Sequence, residues 1–263
     1  MGKKVLFFDV DGTLVDGKNE IPKSAFDAIK KTRENGNLVF INSGRCYGML
    51  HSIEKMIDVD GLLCGCGTEI MYHGESLFNY VLDRDVKERV IASSKKYNID
   101  VIAEGHDGAA YSGNVEETRM QAVKDTIMFI ETLGTDMHIP YSADFNMAKF
   151  CIQADELSDV EGFKKEFEKD FDVIDRHDGF YECVPNGYSK GTAVDWVLNK
   201  FDIKKEDAYC FGDSTNDLTM FAAGINAIAM GEHSVELEEY ATFITKNLED
   251  DGVEYAMKHY GLI

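Results

Sequence analysis

Positive charge is what this sequence is shortest of: 27 Lys and Arg stand against 48 Asp and Glu, a formal net charge of −21. A nucleic-acid partner needs a surplus of Lys or Arg to displace phosphate counterions, so that partner class is argued against. Long hydrophobic runs are missing too. No stretch approaches the roughly 20 apolar residues of a membrane span, so no membrane partner is expected. Met1-Gly2-Lys3-Lys4 leads straight into an apolar run, with no small-residue cleavage site before Asp9. These features predict a cytoplasmic protein. Six cysteines in 263 residues form no disulfide framework. Cys64-Gly65-Cys66 reads as two thiols on one face of a strand, but no second Cys or His pair stands at zinc spacing. The seven histidines show no pairing pattern that would support a His-based mechanism. Only three prolines interrupt the chain, all near expected element ends, and there is neither an internal repeat nor a low-complexity segment. The sequence carries no signal of oligomeric state.

What the chain does contain is alternation. A strand at 5–10, a helix from Pro22 to Asn35, a strand at 38–42, a helix at 46–57 and a strand at 61–66 follow one another, with Pro22 suited to a first helical turn and Gly36 to a helix end. After Ser189 the pattern resumes with a helix from Gly191 to Lys200, a strand at 207–211, a helix at 216–223, a strand at 226–229 and a closing helix from Val253 to His259. Such alternation predicts a parallel sheet covered by helices. Between them the grammar changes. Lys87–Tyr97, Glu117–Leu133 and Val160–Phe171 read as helices, while Val101–Ala103, Ala109–Ser112, Ala148–Gln153, Val173–Asp175 and Tyr181–Val184 read as strands. The chain is therefore expected to be an α/β core domain, 1–82 and 187–263, interrupted by an inserted α+β domain at 83–186, with hinges near Leu82–Asp85 and Pro185–Tyr188.

In Leu6-Phe7-Phe8-Asp9-Val10-Asp11-Gly12-Thr13 two carboxylates stand two residues apart where an apolar strand runs into a glycine turn. Open α/β sheets bind ligands at that edge. Like charges held so close need a shared proton or a hard cation such as Mg²⁺. Three distant segments repeat the pattern of an apolar run delivering polar residues to a turn. Leu38–Ile41 precedes Asn42-Ser43-Gly44-Arg45, Ala208–Phe211 precedes Gly212-Asp213-Ser214-Thr215-Asn216-Asp217, and Tyr181–Val184 precedes Ser189-Lys190-Gly191. Ser43 offers a hydroxyl, Gly44 a closely approachable N–H, Lys190 a compact cation, and Asp213 and Asp217 hard oxygens. Converging on one sheet edge, these would supply a nucleophile, an anion cradle and a cation site.

These four segments, in this order, resemble the four motifs of haloacid dehalogenase superfamily phosphatases, closest to the Cof-type, sugar-phosphatase-like group, over residues 5 to about 253. The resemblance implies a Rossmann-like core with an inserted α+β cap that shapes substrate choice. It also implies a Mg²⁺-dependent phosphatase of small phosphorylated metabolites, sugar phosphates above all, working through an aspartyl-phosphate. By that resemblance Asp9 is the nucleophile and a metal ligand. Asp11 is the general acid/base and offers its backbone carbonyl to Mg²⁺, and Lys190 supplies the compensating charge. Asp213 and Asp217 complete the metal set, while Gly12, Ser43, Gly44, Lys190 and Asn216 hold phosphate. Two alternatives remain: a sugar phosphomutase of the same superfamily, or a non-enzymatic phospho-acceptor that uses Asp9 without turnover. Tyr181, Glu182 and Arg45 are candidate substrate contacts only by their nearness to the motifs. The chain departs from the family pattern at Cys64-Gly65-Cys66-Gly67, at Ser214 and at Met230-Gly231-Glu232-His233.

Overall fold

The computed structural model describes residues 3–111, 113–135, 137, 138, 142 and 144–263. In chain order the elements are β1 (Val5–Phe8), α1 (Lys23–Glu34), β2 (Leu38–Asn42), α2 (His51–Met56), β3 (Gly61–Cys64), β4 (Glu69–Tyr72) and β5 (Glu75–Asn79). Then come α3 (Arg84–Tyr97), β6 (Asp100–Gly105), β7 (Gly108–Tyr111), α4 (Gln121–Thr132), β8 (Met137–His138), β9 (Met147–Gln153), α5 (Val160–Phe167), β10 (Phe171–Asp175) and β11 (Phe180–Pro185). The last stretch holds α6 (Lys190–Phe201), β12 (Ala208–Gly212), α7 (Leu218–Phe221), β13 (Asn226–Ala229), β14 (Phe243–Ile244) and α8 (Gly252–His259). The chain divides into two compact units, Met1–Gly44 with Glu54–Leu77 and Tyr188–Ile263, and Arg45–Ile53 with Phe78–Gly187.

The first unit is an α/β fold built on an eight-stranded sheet in the order β14-β13-β12-β1-β2-β3-β4-β5. It is parallel from β14 through β3 and antiparallel at β3–β4. A strand covered on both faces has no need of alternation, and Val5, Leu6, Phe7 and Phe8 of β1 are all 0% exposed. Full burial of each such side chain contributes roughly 1.5–3 kcal/mol. Phe8 stacks on Phe211 of β12 at 4.5 Å between ring centroids. Because β12, β1 and β2 are parallel neighbours, their carboxyl ends leave the sheet side by side, carrying Asp213, Asp9 and Ser43 to one edge.

The second unit is α+β, a six-stranded sheet in the order β10-β11-β9-β6-β7-β8, antiparallel except at β7–β8. One face buries Val101, Phe150 and Ile152 against Val90 of α3 and Phe163 and Phe167 of α5. On the other, Ile102, Ala109 and Tyr111 meet Val123 and Ile127 of α4 together with Cys46 and Met49. That second cluster explains why residues 45–53 join this unit. Gly48 lies so close to the backbone of Gly108 that an added Cβ would stand 2.7 Å from its Cα. Cys46 Sγ also donates to Gly108 O at 3.4 Å, and Thr135 Oγ1 to Gly48 O at 3.2 Å.

Several expectations need correction. Tyr181–Val184 lies within β11 of the six-stranded sheet, so no strand of Asp9's sheet delivers Lys190, which arrives instead on the first turn of α6. Cys66 is not on a strand: β3 ends at Cys64, and Cys66 turns into a left-handed conformation at φ 55°. The helix expected at 46–57 is a 3-10 turn, Tyr47–Leu50, followed by the short α2. The β4–β5 pair was not anticipated, although its turn at His73-Gly74, both at positive φ, is typical hairpin chemistry. Ser112, the expected end of one strand, lies outside the described residues.

Candidate active site

Lys190 is the hub of the sheet edge. Its side chain is completely buried, and Nζ donates to Asp9 Oδ1 at 2.6 Å, Asp217 Oδ1 at 2.6 Å and Asn216 Oδ1 at 3.1 Å. A cation in the first turn of a helix faces the unfavourable end of the dipole. The carboxylates outweigh that conflict. A capping box at Ser189 and Thr192 starts the helix cleanly, with Thr192 N donating to Ser189 Oγ at 3.1 Å and Ser189 N to Thr192 Oγ1 at 2.9 Å. Gly191 is required there, because an added Cβ would stand 2.3 Å from Thr219 O.

The loop after β12 is organised by Asp217. Its Oδ1 takes Lys190, while its Oδ2 accepts from the backbone N–H groups of Asp213 at 2.9 Å and Ser214 at 3.1 Å. Ser214 Oγ in turn donates to Asn216 Oδ1 at 3.0 Å. The segment expected as a helix over 216–223 is thus a 3-10 turn, Thr215–Asp217, running into α7, and Asp213 does not cap it. Asp213 instead reaches across to the loop after β1, where Thr13 Oγ1 donates to its Oδ1 at 2.8 Å. Sequence reasoning misses this role of Thr13. A hydroxyl beside the buried Leu14 and Val15 was the available signal, since buried hydroxyls seek partners.

Gly12, at φ 81°, lies directly under this carboxylate: a Cβ there would meet Asp213 Oδ2 at 2.7 Å. Asp11 is exposed, and it lines with Gly12, Asp16, Asp213, Glu232 and Asn247 an open cleft of about 350 Å³. Ser43 is buried just beyond β2, with its N–H on Leu63 O at 2.9 Å and its carbonyl accepting from Cys66 N at 3.0 Å. Gly44 follows it at the same edge.

Electrostatics set this edge apart. Asp9, Asp213 and Asp217 each present an oxygen within 4.8 Å of the others. Burial, and next the charge of Asp217, push Asp9 well above the usual carboxylate range against the pull of Lys190. Burial and Asp217 likewise raise Asp213 to about 6. Burial disfavours the ammonium of Lys190, yet Asp217 and Asp9 hold it above the ordinary lysine range. Two carboxylates share one ammonium with a third beside them, and Asp9 and Asp213 resist ionisation. Asp9 Oδ2 and Asp213 Oδ2 accept no hydrogen bond among the described residues. A set of hard, anionic oxygens with two unspent is what a divalent cation such as Mg²⁺ fits.

The other candidates lie within the second unit. Glu182 is buried on Lys149 at 2.8 Å, Tyr181 carries Lys164 over its ring at 5.0 Å, and Arg45 stands 5.6 Å from the Phe129 ring centroid. Among the described residues no helix is long and apolar enough to cross a membrane.

Known proteins resemble this chain over its whole length. YkrA of Bacillus subtilis, whose name assigns it provisionally to the phosphatases, is 26% identical over the whole of both chains. YwtE of the same organism, named a 5-amino-6-(5-phospho-D-ribitylamino)uracil phosphatase, is 26% identical over 96% of each chain. The solved structure of BT4131, described as a subclass IIB sugar phosphatase, superposes with a TM-score of 0.83 at 23% identity, covering 99% of this chain and 100% of that one, and so shares the fold. A family model described as haloacid dehalogenase-like hydrolase matches residues 6–257, from the strand before Asp9 to the last helix. With nearly its whole length so matched, the chain belongs to the haloacid dehalogenase-like hydrolase family.

Proposed function

We propose that this hydrolase is a Mg²⁺-dependent phosphatase of small phosphorylated metabolites, sugar phosphates above all, acting through an aspartyl-phosphate on Asp9. The observation that carries the reading is the cluster of Asp9, Asp213 and Asp217 beside one buried ammonium, with two carboxylate oxygens unspent. Asp9, Asp213 and the backbone carbonyl of Asp11 would hold Mg²⁺, which supplies positive charge against the incoming phosphate. Asp217, with both oxygens engaged by protein donors, would orient Lys190 and the loop bearing Asp213.

Asp9 attacks phosphorus, forming its O–P bond as the ester O–P bond breaks. Asp11 gives its proton to the departing alkoxide. Water then attacks the acyl phosphate, and Asp11 takes that water's proton back as inorganic phosphate leaves. Lys190 neutralises charge on the phosphoryl oxygens, and Ser43, Asn216 and the N–H groups near Gly12 and Gly44 hold the rest. Two relatives support the substrate class, since their names speak of a sugar phosphatase and of a phosphoribityl compound. The inserted segment 83–186 would act as the cap that shapes the choice among such esters.

The test is turnover against a panel of phosphorylated metabolites with and without Mg²⁺, combined with rapid quench of Asp11→Asn. Metal-dependent phosphate release and accumulation of phosphoenzyme in that variant, slowed about 10²–10⁴-fold, are expected. A panel without turnover, or turnover untouched by chelation, would overturn the reading.

A further inference from the structure

Asn42 is the last residue of β2 and is 0% exposed. Its Nδ2 donates to the backbone carbonyl of Lys190 at 3.0 Å and lies 3.6 Å from Met220 Sδ, so both amide hydrogens point at partners. Its Oδ1 is buried with none among the described residues. The orientation is fixed, because turning the amide over would set its oxygen against the carbonyl of Lys190. An unpartnered buried oxygen destabilises a fold, and a β-branched apolar side chain would fill a central strand without that cost. Polar groups kept in a core despite such a penalty are where a fold spends stability on function.

The bond made by Nδ2 joins two places directly. One is the end of β2, whose next residue is Ser43. The other is the first residue of α6, whose side chain reaches Asp9 and Asp217. The backbone of Ser43 is already fixed on its far side by Leu63 and Cys66, and Gly191 N is tied to Thr219 Oγ1 at 3.1 Å. Asn42 adds the direct side-chain tie between the end of β2 and the start of α6.

We infer that Asn42 is a positioning residue, acting through Lys190, that sets the distance between the Lys190 ammonium and Ser43 for phosphoryl transfer. The inference rests on the phosphatase reading above. Misplacement of a charge by a fraction of an ångström weakens transition-state contacts more than ground-state ones, so the effect falls on kcat.

The experiment compares p-nitrophenyl phosphate hydrolysis with Mg²⁺ by the full chain and two variants. Asn42→Val removes the donor and the unpaired oxygen together. It is expected to lower kcat about tenfold, about 1.4 kcal/mol of barrier, with KM within twofold and a thermal midpoint equal to or above that of the parent. Asn42→Asp can donate to the Lys190 carbonyl only when protonated, so its rate relative to the parent rises as pH falls. A purely structural role would move neither the kcat against KM split nor that pH profile. The inference is overturned if Asn42→Val keeps kcat within twofold or, should that variant not fold, if Asn42→Asp follows the parent's pH profile. Absence of turnover by the parent would instead remove the phosphatase reading and this inference with it.

Discussion

Each unit buries one lysine between two carboxylates, and the two lysines do different work. In the second unit Lys149, 1% exposed, donates to Glu104 at 3.0 Å and Glu182 at 2.8 Å from neighbouring strands β6 and β11 that flank its own. Cys151 adds a thiol donor to Glu104 at 3.1 Å. In the first unit Lys190 has Asp9 and Asp217 at 2.6 Å, but a third acid, Asp213, crowds the same space. Among the described residues no comparable acidic triad surrounds Lys149. An ion cluster confined to a sheet face ties strands together. One carrying an extra carboxylate and opening on a cleft has the surplus charge and the access that the proposed phosphatase site needs.

The comparison breaks most sharply at Asp9. Asp9→Asn should abolish turnover, on the order of 10⁴-fold or more, while a circular dichroism melt shows the fold retained; normal activity in the variant would reduce Lys190 to a second Lys149. Next come matched lysine variants. Lys190→Met is expected to lower kcat/KM about 10²–10³-fold, the cost of losing one group that stabilises transition-state charge. Lys149→Met strands two buried carboxylates and should cost about 3–5 kcal/mol of stability in denaturant titrations. If both variants lose stability alike and activity alike, the distinction fails.

The smallest effect is in pH. Burial and the charge of Asp217 raise Asp213 to about 6 in the fold, so the metal-free folded state is expected to hold more protons than the unfolded one between its ordinary range and that value. Stability of the chelated protein should therefore fall as pH rises toward about 6. Mg²⁺ should flatten that slope, and its apparent affinity should weaken as pH falls through the same range, as read by calorimetric titration. A slope unaffected by Mg²⁺ would place the ion elsewhere.

Much of the candidate site was legible because its signals are local. Unbroken apolar runs ending in Asp-Gly or Ser-Gly turns mark strands that terminate at a polar edge, and α1, expected from Pro22 to Asn35, spans Lys23–Glu34. What depended on distant partners was not legible. Nothing in the spacing of Asp213 and Asp217 tells that one spends both oxygens inside the protein while the other keeps one unspent. Cys66 has the composition of a strand residue, yet its backbone is left-handed, and the following Gly67 approaches a distant segment, Ser189, where a Cβ would stand 2.7 Å from a carbonyl oxygen. Tyr181–Val184 carried a strand's composition, but composition does not say which of two sheets a strand enters.

The membership of Arg45–Ile53 in the second unit has a practical corollary for anyone exchanging that unit between relatives. Excising 78–187 alone would leave behind Cys46 and Met49, stripped of the Ile102, Tyr111 and Ile127 side chains that now shelter them. The transplantable module is two pieces of chain, and the shorter piece begins one residue after Ser43-Gly44. A chimera that respects only the longer piece should come out of the cell sticky and aggregated; one that carries both should not.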